Sequence, residues 1–124
     1  MLNIFDAQLI KITKGNSAEV LITLTDSETG LPIVIDEGDK VLFTAKSKNG
    51  VMVIQKVLTH DDLDTDGHSL VMTIMPEETN IETGEYPYDV LLATLSGQVT
   101  TFISSVMVIT PAVGLYTDVG GDGA

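Results

Sequence analysis

The segment from His60 to His68 gathers the densest set of side chains that could do chemistry: His60, Asp61, Asp62, Asp64, Asp66 and His68, with Gly67 between the last two. Carboxylates at alternate positions followed by glycine open the pattern with which calcium loops wrap a cation in hard oxygen ligands. Asp62, Asp64 and Asp66 are therefore the candidate metal ligands. Two features weaken the site. The position where such a loop places a bidentate glutamate is Thr73 here, and no helices flank the segment. Without that ligand, calcium would bind only in the range of weak extracellular modules. The plainer reading is a solvated turn whose Asp-Gly pair joins two strands. His60 and His68 could add imidazoles for zinc or nickel, but no helical spacing aligns them.

Other chemistries find less support. Glu77 and Glu78 follow Pro76 at the start of a short helical turn, where free amides and the dipole favour negative charge, so a structural role already accounts for them. A glycosidase pair would need carboxylates facing each other across a cleft. No serine sits in a Gly-x-Ser-x-Gly elbow, and Gly120-Gly121-Asp122-Gly123 precedes no lysine and no helix, so it is not a phosphate loop. The chain has 0 cysteines, which excludes disulfides, thiolate catalysis and cysteine-ligated zinc. The expectation is a protein that is not an enzyme and needs no cofactor.

The elements that must position these residues are short strands in one domain. A chain of 124 residues buries roughly two-thirds of its unfolded surface. Eighteen acidic residues against six basic ones give a net charge of -12, which would repel nucleic acid and anionic membranes. The same acidity keeps a strand-rich protein soluble. Met1–Asp6 carries no basic region or long apolar stretch, so it does not read as a secretory signal. No segment approaches the roughly 20 apolar residues of a membrane span. The expectation is synthesis and folding in the cytosol.

Apolar residues alternate along several runs. Ala7–Thr13 reads as a first strand. In Ala18–Thr25, Val20, Ile22 and Leu24 share one face. Leu31–Ile35 is a short run that Pro32 confines to an edge or a loop. Lys40–Lys48 points Val41, Phe43 and Ala45 inward and its lysines outward. Four of the six basic residues lie between Lys40 and Lys56, which suits an outward face that resists pairing with other chains. Asn49-Gly50 predicts a two-residue hairpin turn into Val51–Leu58. His68–Met75 carries Leu70, Met72 and Ile74 on its core face, and Tyr86–Leu95 and Gln98–Thr110 form a last hairpin around Ser96-Gly97. About seven strands with turns every 8–12 residues predict an all-β, immunoglobulin-like antiparallel β-sandwich over residues 1–112. The glycine- and aspartate-containing segment 113–124 is expected to be a mobile tail.

Glu82-Thr83-Gly84-Glu85-Tyr86-Pro87-Tyr88 looks like a tyrosine corner, in which a tyrosine near the start of a strand bonds a backbone group upstream. Gly84 would permit the bend, Tyr86 would supply the hydroxyl, and Tyr88 would take the core position two residues on. More broadly, Val20–Asp26 (VLITLTD), Lys40–Lys48 (KVLFTAKSK), Pro76-Glu77-Glu78-Thr79, Gly84–Val90 (GEYPYDV) and Val106–Pro111 (VMVITP) fall in the order and spacing of one family. They resemble the N-terminal β-sandwich domain of phage baseplate upper proteins and similar tail modules of phages and prophages. The resemblance covers roughly residues 15–112. It implies a virion structural role, with the domain anchoring a tail or baseplate component in a symmetric, often trimeric, assembly and meeting protein partners. Family members commonly continue into long coils or a receptor-binding region, whereas this sequence stops at Ala124.

Val51-Met52-Val53-Ile54 and Val106-Met107-Val108-Ile109 are apolar on both faces, which suggests that one face is buried against another copy of the chain. A different class of function, a carbohydrate- or surface-binding module with a weak calcium site, stays open. Its sugar platform would want exposed aromatics. Tryptophan is absent, and Tyr116 is the one tyrosine without a structural assignment.

Overall fold

The structure, a computed structural model, describes residues 2–4 and 9–112; the segment 113–124 and the start of the expected first strand, Ala7 and Gln8, lie outside them. The described residues form eight strands: β1 (Leu2–Ile4), β2 (Ile10–Thr13), β3 (Ala18–Thr23), β4 (Lys40–Lys46), β5 (Met52–Leu58), β6 (Ser69–Ile74), β7 (Gly84–Ala93) and β8 (Val99–Thr110). A 3₁₀ turn at His60–Asp62 and one helical turn, α1 (Pro76–Thr79), interrupt them. They build two sheets, β1-β3-β6 and β2-β8-β7-β4-β5, and the fold is an all-β sandwich.

Alternation decides what each strand buries. Val20 and Ile22 from β3 with Leu24 just beyond its end, Leu70, Met72 and Ile74 from β6, and Val41, Phe43 and Ala45 from β4 are all buried. These facing rows fill the space between sheets, and each fully buried aliphatic side chain contributes about 1.5–3 kcal/mol. Phe43 stacks on Tyr88 with ring centroids 5.0 Å apart, an arrangement worth about 0.5–1.5 kcal/mol beyond its area.

Two expectations change. The sheets are not purely antiparallel, since β1 pairs with β3 and β2 with β8 in parallel. No hairpin joins either pair, so nothing forces the antiparallel direction. The N-terminal stretch instead serves both sheets, β1 in the smaller and β2 in the larger. Leu31–Ile35 lies in a loop, one of the two settings to which Pro32 confines it: Pro32 makes a single bridge to Thr25, Ile35 is buried in the core and Ile33 packs against it. The hairpin between β4 and β5 also differs. Its turn closes from the Gly50 amide to the Ser47 carbonyl at 2.9 Å, and the Ser47 amide donates to Val51 at 2.8 Å. Lys48 and Asn49 are therefore the central residues, and Gly50 follows them at φ +82°. That is a three-residue loop with a glycine bulge rather than the tighter turn expected from Asn-Gly. A substituent at Gly50 would force a side chain into the left-handed region.

Candidate functional site

The acidic loop lies between β5 and β6, and its carboxylates do separate work. The 3₁₀ turn is capped by Thr59, whose amide donates to Asp62 Oδ2 at 2.8 Å, while its hydroxyl accepts from the Asp61 amide at 3.3 Å. Asp62 is thereby a capping residue. Asp64 sets the next turn through its backbone: its amide donates to the Ser69 carbonyl, and its carbonyl accepts from the Gly67 amide at 3.0 Å. Asp66 Oδ1 accepts from the amides of His68 and Ser69 at 3.0 and 2.9 Å. A hydrogen bond from the Ser69 side chain, followed by these two amide bonds, holds its carboxyl well down, at about 2. His68 Nδ1 lies 3.6 Å from Asp66 Oδ2. The geometry is that of two linked turns delivering the chain into β6. Among the described residues, no three His, Asp or Glu side chains come together to hold a metal ion.

The tyrosine segment opens β7. The Tyr86 hydroxyl donates to the Glu82 carbonyl four residues upstream, and Gly84 between them adopts φ +142°, a conformation side chains disfavour. Burial and the nearby Glu82 charge raise the Tyr86 phenol above its usual value. Tyr88 is buried two residues on, and burial lifts its phenol to about 12 despite a hydrogen bond from Ser105. Pro87 lies one residue beyond the last β4 partner of β7, so its missing amide interrupts no ladder on that side.

Three polar ties were not legible in sequence. Asp39, buried in the turn before β4, accepts the Asp36 amide at 3.0 Å on one oxygen and the Leu95 amide at 3.1 Å on the other. It thus clasps the β7–β8 hairpin to the loop leading into β4. Thr79, fully buried at the end of α1, donates its hydroxyl to the Asn16 carbonyl at 2.7 Å. Lys56, on the edge strand β5, meets Glu78 of α1 at 2.7 Å. Burial raises the Glu78 carboxyl, but Lys56 and the Met75 amide lower it further. A carboxylate bonding its own helix's preceding backbone is visible as a pattern in sequence, whereas its lysine partner twenty-odd residues away is not. Glu77, its neighbour, is exposed.

A cleft of about 630 Å³ separates the Asp26–Gly30 turn from the start of β8, lined by Thr25, Asp26, Ser27, Thr100, Thr101 and Phe102. Its one carboxylate, Asp26, already accepts the Glu28 and Thr29 amides. The cleft can offer hydroxyls and one aromatic ring but no acid-base pair. Tyr116 lies outside the described residues. No helix among the described residues is long and apolar enough to cross a membrane.

The chain shares its fold with the N-terminal domain of phage TP901-1 ORF48: the two superpose with a TM-score of 0.53 at 11% identity, over 88% of this chain and 98% of that one. No family model matches the sequence. No curated protein matches it either.

Proposed function

We propose that this chain is a structural module of a phage or prophage tail or baseplate, working by presenting sheet faces to protein partners and holding a place in a symmetric assembly. The observation that carries the reading is the sandwich itself, which spans nearly the whole of a phage protein's N-terminal domain. Motif order along the sequence supports the same assignment independently of the backbone. The strand order, with β7 opening on a tyrosine tied to Glu82, supports the finer immunoglobulin-like reading. The -12 charge argues for protein partners over nucleic acid or anionic lipid.

The test is location. Antibodies raised against the purified chain should label the tail end of particles released on induction of the organism that encodes it, and mass spectrometry should find the chain in the washed particles. A chain abundant in the lysate but absent from particles would overturn the proposal. The cleft beside Phe102 gives the carbohydrate-binding alternative its place; retention on a glycan array, lost in Phe102→Ala, would favour it.

A further inference from the structure

The two ends of the sandwich differ, and strand direction decides which loops meet at each. β4 runs antiparallel to β5 and β7, β7 to β8, and β3 to β6, so the connections β3–β4, β5–β6 and β7–β8 gather at one end. Contacts tie them together there. The Leu95 side chain lies over Gly38, and Glu37 and Gly38 share a hollow with His60 and Asp61. Of the chain's eighteen acidic residues, five lie between β3 and β4 and four between β5 and β6, and these loops hold no lysine or arginine. The loops of the opposite end carry three acidic residues against Lys14 and Lys48. Apolar groups stand at the acidic end as well. Leu31, Val34, Leu95 and Val99 are the four most exposed large apolar side chains among the described residues. Next to Val99 opens the cleft of about 630 Å³, with Phe102 and Ile103 in one wall and Asp26 in the other.

We propose that this end docks a basic segment of a different protein, with one apolar side chain of that segment in the cleft and its lysines or arginines against the surrounding carboxylates. The inference rests on the assembly reading above and names the surface and the partner's chemistry. The cleft beside Phe102 supplies the anchor, since most binding energy comes from a few large groups seated in a pocket. Charge selects the occupant. A neutral partner would strip water from these carboxylates without replacing it. The same end of a second copy would oppose like charges, and its other end has too few lysines to compensate them. A basic segment instead gains attraction at encounter and pairs on arrival. The acidic surface is also held ready. Asp26, Asp62 and Asp66 are fixed by bonds from the chain's own amides, so presenting them to a partner requires little further ordering. Glu28 and Glu37 stand exposed around them.

Photocrosslinking reads the contact directly. Benzoylphenylalanine is placed at Val99 or, as a control on the opposite end, at Val51, in the full chain made by the organism that encodes it. On illumination, Val99 should crosslink to one protein other than this chain, in a segment where lysine and arginine outnumber acidic residues; Val51 should not reach that segment. Glu28→Lys with Glu37→Lys should lower the yield about tenfold, as for charges that steer a partner. Glu77→Lys with Glu85→Lys makes the same change in net charge at the other end and should leave the yield unchanged. Phe102→Ala should lower it, with circular dichroism confirming that each variant is folded. A crosslink to a second copy, to a neutral or acidic segment or to a glycan would overturn the proposal. So would equal loss in both charge-reversed pairs, or no crosslink from Val99. A chain found in washed particles without the Val99 crosslink would remove this inference alone, and a basic partner with both proteins absent from particles would remove only the tail assignment.

Discussion

At the scale of single residues, the polar side chains act on the backbone more than on each other. Tyr86 replaces water on the Glu82 carbonyl with a fixed hydroxyl. Tyr86→Phe keeps the ring in place and removes that bond, so it should cost about 1 kcal/mol, read as a lower urea midpoint with an unchanged m-value. Asp66 gives a dependence on pH. Its folded-state carboxyl titrates at about 2 against a usual 3.8, because three hydrogen bonds favour the charged form. The unfolded chain therefore takes up the proton first. The stabilisation is complete above the usual value and disappears as pH falls through the folded one. Melting temperature should decline as pH is lowered through this window, and Asp66→Ala should flatten the decline. Equal slopes in both proteins would show that other carboxylates set the acid response.

At the scale of elements, a buried carboxylate fastens a loop and charge guards an edge. Asp39 joins a turn and a hairpin that are far apart in sequence. Asp39→Ala would leave the Leu95 and Asp36 amides without their acceptor and should destabilise the fold by about 1–3 kcal/mol. Amide exchange should speed up at Leu95 while the β4–β7 ladder stays protected. Lys56 sits opposite Phe43 on the inward register of β5 and turns its charge to Glu78 at the open border between sheets. An inward charge on an outer strand discourages a foreign strand from adding there. The larger sheet therefore guards its β5 edge.

At the scale of the molecule, what could be read in advance was local. Val20-Ile22-Leu24, Val41-Phe43-Ala45 and Leu70-Met72-Ile74 announce their buried faces because side-chain direction in a strand has a period of two. The short turn at Pro76 follows from proline's geometry. Which strands become neighbours does not follow, since pairing is settled by packing between distant segments; hence β1 and β2 in different sheets, and parallel pairs where antiparallel ones were expected. The candidate site divides in the same way. The alternating aspartates are plain in sequence, but their assignment to caps and turns depends on Thr59, Ser69 and Gly67 taking particular conformations. Asp39 and Lys56 carry no local signature, because each acts on a segment that only the folded chain brings near.

The pairing of β2 with β8, Ile10 through Thr13 against Met107 through Thr110, has a consequence for biosynthesis. During translation the larger sheet lacks its β2–β8 ladder until Thr110 has left the ribosome, so the early segment must wait, partly apolar, for the eighth strand. Such closure of distant ends is slow, and the waiting segment is a point where a neighbouring nascent chain could pair in its place.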